Sequence, residues 1–119
     1  MNASPSEGKY LDEVYRSVEA NGHARVSYLA KVLGLSVSGV SKMIGKLTKD
    51  GYIHFERYGI ITLTEKGKIA GKELEERRLV LVSLFRKIGL EAERIDEEVH
   101  NLKYTISQNA VEKIKDFLN

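Results

Sequence analysis

The 119-residue chain has no cysteine and no tryptophan, and its one proline is at position 5. Without cysteine there can be no disulfide, no thiolate metal site and no thiol nucleophile. No apolar run approaches the roughly 18 residues of a membrane span, and no charged-then-apolar leader opens the chain. A cytoplasmic protein with no membrane partner is therefore expected. A Gly-rich phosphate loop is also missing, and His23, His54 and His100 fall on three separate predicted elements. The run "SVSGVS" lacks the strand-to-turn setting of a hydrolase nucleophile elbow. These absences argue against an enzyme. A more local absence is informative: "LSVSGVSKMIGKL", residues 35–47, contains no acidic residue. Its apolar positions recur at helical spacing, yet an ordinary exposed helix face mixes both charge signs.

The net charge of +2 hides an uneven distribution. Residues 1–20 carry two basic and four acidic side chains, residues 21–72 nine and three, and residues 73–119 eight and ten. The basic excess sits in the block that contains the smooth helix. A localised basic block suits a polyanion, most often nucleic acid. The plain alternative is a solvated basic face.

The periodicity predicts a loose "MNASPSEG" start, then a helix from Tyr10 with Leu11, Val14, Tyr15 and Val18 on one face, closed at Asn21-Gly22. Ser27 reads as the cap of a second helix, which ends at Gly34. Ser36 or Ser38 caps a third, with Val40, Ile44 and Leu47 inward. After Asp50-Gly51 the period falls to two. "YIHFE" and "IITLT" then flank Arg57-Tyr58-Gly59 as a hairpin. Thr64 caps a long helix whose stretch from Leu79 to Ile88 is apolar on several sides, so it needs more than one neighbour. In so short a chain, a second copy of the protein can supply one. Two further helices follow: one over residues 91–104, and one capped by Ser107. The fold class is thus mostly α: a winged helix-turn-helix domain over residues 1–71, followed by a helical dimerisation domain over residues 72–119.

Helix, helix, tight turn, helix and hairpin is the order of a winged helix-turn-helix. Ala30 is small where the second helix must pack on the third. Ser38, Gly39, Ser41, Lys42, Gly45 and Lys46 are left facing outward. Small residues admit a helix to the major groove. Hydroxyls and lysines there meet bases or phosphates, and the helix start, at Ser36, favours a phosphate. Arg57 at the hairpin tip suits a minor groove or a phosphate, with Tyr58 on a sugar or on the protein itself. Arg25 and Lys31 are further phosphate candidates. His54 reads as a strand surface residue. The competing class is a winged helix that docks protein. It should expose aromatics and leucines on this face, whereas Met43 is the one large apolar residue there.

The stretches "ARVSYLAKVLGL", "VSKM", "KLTKDGYI", "LTEKGK" and "FRKIGLEAERI" resemble the DtxR/MntR family of winged-helix metalloregulators, and the likeness covers nearly the whole chain. The resemblance implies a homodimeric repressor on double-stranded DNA. A two-fold protein reads two equivalent half-sites, so the operator is expected to be a near-palindrome. The resemblance also implies a divalent metal held between the first helix and the dimerisation helices. The family's ligand positions fall on Lys9, Asp12, Arg78, His100, Lys103 and Tyr104. Of these only Asp12 keeps a carboxylate. Lysine and arginine cannot coordinate a divalent ion, and their charges repel it. The expectation is accordingly no metal cofactor, with cations standing in for the ion and Arg78 forking onto Asp12. Lys9 or Lys103 then reaches Glu13 or Glu97. The alternatives are decay of the site, or a metal- or other effector-responsive repressor with a rearranged site on Asp12 and His100.

Overall fold

The structure, a computed structural model, describes residues 3–119. Its first helix, α1 (Pro5–Asn21), begins earlier than the Tyr10 periodicity indicates. The Ser4 hydroxyl accepts from the Glu7 N–H at 3.2 Å, and Glu7 Oε1 accepts from the Ser4 N–H at 3.2 Å. This capping box satisfies two end donors, and Pro5 suits the first turn. The polar residues from Ala3 onward are thus a cap rather than a loose tail; residues 1–2 lie outside the described part. Gly22, at φ 85°, closes α1.

The helix-turn-helix follows as α2 (Val26–Leu33) and α3 (Val37–Lys49). Ser27 is not the cap of α2; Arg25 takes that place, with no side-chain cap bond. The physical reason is a two-residue strand that periodicity does not reveal. In β1 (Ala24–Arg25), Ala24 pairs with Ile61 and Arg25 with Ile60, which draws the chain into extended geometry up to the first residue of α2. Gly34 makes the turn at φ 66°. Ser36 caps α3, its hydroxyl accepting from Gly39 N–H at 3.1 Å.

The hairpin is β2 (Ile53–Phe55) and β3 (Ile60–Leu63), joined by a 3₁₀ turn over Arg57–Gly59. His54 faces Thr62 across the pair and is exposed, as the alternation suggests. Strand order is β1-β3-β2. Leu11, Val14, Leu29, Val40, Ile44, Leu47 and Ile61 are fully buried and form the core of this half.

Thr64 caps α4 (Glu65–Lys87), accepting from Gly67 N–H at 3.0 Å. This helix runs through residue 71 without a break and joins both halves of the chain. Two small residues set its approach. A Cβ on Gly67 would stand 1.9 Å from the Tyr52 carbonyl oxygen, and one on Gly71 would stand 2.5 Å from the Tyr15 ring. Against the far half of α4 pack α5 (Ala92–Lys103) and α6 (Gln108–Leu118). Leu81, Ile95 and Val99 centre a second core there. Arg77, 6% exposed, holds the α5–α6 connection by donating to the Lys103 and Ile106 carbonyls and to Gln108 Oε1.

Gly67→Ala is expected to destabilise the protein by about 1–3 kcal/mol or more, because a backbone carbonyl must move. Gly45→Ala, which meets nothing within 4 Å, should stabilise it by about 1 kcal/mol. Chemical denaturation of both variants checks the contrast.

Candidate nucleic-acid interface and interdomain ion pair

On α3 the inward stripe of Val40, Ile44 and Leu47 leaves Ser38, Gly39, Ser41, Lys42, Gly45 and Lys46 exposed. Ser36 and Ser38 lie beside each other, with their hydroxyl oxygens 3.2 Å apart. Met43, the large apolar residue expected on this face, packs partly buried against the core. Leu35 and Val37, beside the cap, are instead about half exposed. Periodicity does not single them out, because they precede the periodic part of the helix. At the other edge, Arg25 donates to the Tyr58 carbonyl at 3.3 Å, which places it at the wing tip. Tyr58 is 89% exposed and left-handed at φ 63°. Arg57 is exposed beside it. Lys46 differs from Lys42: its Nζ is 3.4 Å from Glu7 Oε1 on α1.

The second site lies where α1 meets α5. Asp12 and Lys103 are 2% exposed each, and Lys103 Nζ donates to Asp12 Oδ2 at 2.6 Å. The Tyr104 hydroxyl donates to the same oxygen, also at 2.6 Å. Burial, then the bond to Asp12, raises the Tyr104 phenol far above its usual range, so it stays a neutral donor. Arg16, largely exposed, adds a looser contact to Asp12 at 3.6 Å. The expected fork of Arg78 onto Asp12 is not formed. Arg78 binds Glu75, its neighbour one turn back, at 2.7 Å, and this bond holds the Glu75 carboxyl below its usual range. The local i, i+3 partner wins because it needs no reach across the interface. Lys103, expected at Glu13 or Glu97, reaches Asp12 instead. Its spacing carries the signal: Ile95, Val99 and Lys103 form one i, i+4, i+8 stripe, which aims the lysine inward. Asp12, Arg78, His100 and Lys103 all border one cavity of about 880 Å³ between α1, α4 and α5. Lys9 is exposed and stands apart from it. His100 lies edge-on to Tyr104, ring centres 5.5 Å apart.

An exposed, acid-free α3, a hairpin wing and a helical half with its own core suit a winged-helix DNA-binding transcriptional regulator rather than an enzyme. The comparisons with known proteins agree. Residues 3–61 match the family described as iron dependent repressor, N-terminal DNA binding domain. Residues 64–119 match the iron dependent repressor metal binding and dimerisation domain. The HTH-type transcriptional regulator MntR of Lysinibacillus sphaericus is 37% identical over 115 residues, 97% of this chain and 83% of that protein. The MntR of Bacillus subtilis is also 37% identical, over 97% and 81%. The solved structure of the manganese regulator SloR superposes with a TM-score of 0.78 at 28% identity, over all of this chain and 55% of that one. The chain belongs to the DtxR/MntR family of iron- and manganese-dependent repressors.

This membership corrects the expectation that no metal cofactor is involved. The matched C-terminal domain is described as metal binding, and the SloR relative is a manganese regulator, so the family points to a divalent ion. The residues at Asp12 do not themselves fit one. The carboxylate oxygen there already takes an ammonium and a phenol. Among the described residues, no three of His, Cys, Asp and Glu are grouped to hold an ion. Family membership and the donor set around Asp12 thus point in different directions: the family calls for an ion, and this carboxylate is already taken by the chain's own cation.

Lys103→Met leaves Asp12 charged, buried and short of its partner. It should destabilise the protein by about 3–5 kcal/mol, while Asp12→Leu/Lys103→Met restores most of the loss. Urea melts of the wild type, both single variants and the double variant measure the coupling; additive losses would refute it.

Proposed function

We propose that the protein is a homodimeric transcriptional repressor that reads a near-palindromic operator by placing α3 in the major groove of each half-site. The carrying observation is the outer face of α3, where Ser38, Gly39, Ser41 and Lys42 are exposed together without an acidic side chain among them. Ser36 and the free N–H groups at the start of α3 suit a phosphate. Arg25, bonded at the wing tip, sets Arg57 and Tyr58 against the adjoining backbone or minor groove. The DNA-binding work falls to residues 1–71 and the pairing work to residues 72–119, with α4 as the shared beam. Leu79, Ile88 and Phe117, each more than half exposed, give the second half apolar surface for another copy. Occupying a promoter represses it, and a protein with this task works in the cytoplasm, where bacterial DNA lies.

Selection from random duplexes followed by gel shift tests the reading, run with and without Mn²⁺ because the family points to a divalent ion. The expected outcome is a two-half-site sequence bound by a dimer. Lys42→Ala should weaken binding to all sequences and lower the salt slope by about 1 if it meets only phosphate. If it reads a base, it should relax preference at one position. Unchanged affinity would show that α3 does not face DNA.

A further inference from the structure

Glu7, the capping-box glutamate of α1, is unusual in being buried. It falls one turn before Leu11 on the inward stripe and is 4% exposed. Its Oε1 is used by the capping box, and its Oε2 is buried with no hydrogen-bond partner. A buried carboxylate oxygen left without a donor is expensive, so the carboxylate gains from any cation in reach. That cation is Lys46 of α3, 3.4 Å from Oε1. Burial opposes ionisation of Glu7. The Ser4 N–H and Lys46 nevertheless hold its carboxyl below the usual range, so it is charged at neutral pH. Lys46 keeps a path to solvent, since its side chain is 54% exposed. Lys42, one turn earlier on the same helix, has no ion pair among the described residues.

We propose that Glu7 attenuates operator affinity by holding Lys46 on the flank of α3, away from the phosphates. This rests on the reading of α3 as the DNA-facing helix. A lysine that meets a phosphate releases close to one counterion and adds that much to the salt slope. Lys46 cannot make that contact while it is paired with Glu7. Glu7 is a positioning residue: it touches no DNA and acts through the lysine.

The test is a four-way comparison on the selected operator: wild type, Glu7→Gln, Lys46→Gln and the double variant, with Lys42→Gln as reference. Glutamine at position 7 can still accept from the Ser4 N–H, so the capping box survives. Glu7→Gln should tighten operator binding about 3- to 10-fold at low salt and steepen the salt dependence by about 0.9. Lys46→Gln alone should change affinity less than about 2-fold, and in the double variant it should erase the gain. Should Glu7→Gln unfold, Lys46→Gln against Lys42→Gln decides: equal weakening by both overturns the attenuation. A folded Glu7→Gln with wild-type affinity and slope also overturns it, provided Lys42→Gln weakens binding. If Lys42→Gln has no effect either, the DNA-facing reading of α3 fails and this inference falls with it.

Discussion

The ion pair between Asp12 and Lys103 spans the two halves of the chain at a point where neither partner meets water. Its members are 91 residues apart in sequence and lie 2.6 Å from each other. A buried pair of this kind adds little to net stability compared with a well-packed apolar pair, yet breaking one side is severe. Its main effect is geometric. So short a contact, supported by the Tyr104 hydroxyl, fixes how the first helix of the DNA-binding half sits on the dimerisation half. Any second copy paired through the C-terminal helices carries its winged-helix half at a position set through this contact. On the same side of α1, Gly71 lets the Tyr15 face lie directly on α4.

Much of this is legible in the sequence. The inward stripe of α3, the caps at Ser36, Thr64 and Ser107, and the Arg57-Tyr58-Gly59 tip depend on neighbours a few residues away, which periodicity reports well. The resemblance to the metalloregulator family then supplies the order of the domains. What periodicity misses depends on contacts it does not weigh. β1 exists only because β3 passes beside it, so nothing in "HARVS" marks two residues as a strand. The family's ligand positions bring Arg78 to a distant aspartate, but a glutamate one turn away is the cheaper partner. Lys103 has the composition of a surface charge, though its spacing from Val99 and Ile95 already places it inward.

The metal question shows what family membership can and cannot transfer. Membership follows from matches over nearly the whole chain, and the family description and the SloR structure point to iron and manganese. A ligand set does not transfer in the same way. It is a property of particular oxygen and nitrogen atoms, and here the atoms around Asp12 include an ammonium group that occupies the carboxylate directly. An ion competing for that oxygen must displace a tethered cation whose local concentration is set by the fold.

The first helix therefore carries two buried carboxylates, and both are answered by lysines from other elements. Glu7 meets Lys46 of the reading helix, and Asp12 meets Lys103 of the dimerisation half. Five residues of helix separate them, roughly 7.5 Å along the axis. Because α1 is a single capped rod, a shift imposed at Asp12 reaches Glu7 without a flexible joint between them. The two contacts differ in how easily they yield. Lys103 is enclosed, so moving it requires separating α1 from α5. Lys46 is half exposed and its contact is the longer one, so it can be drawn away without separating two helices. The rigid contact sets where α1 stands on the second half, and the yielding one ties α1 to the exposed face of α3.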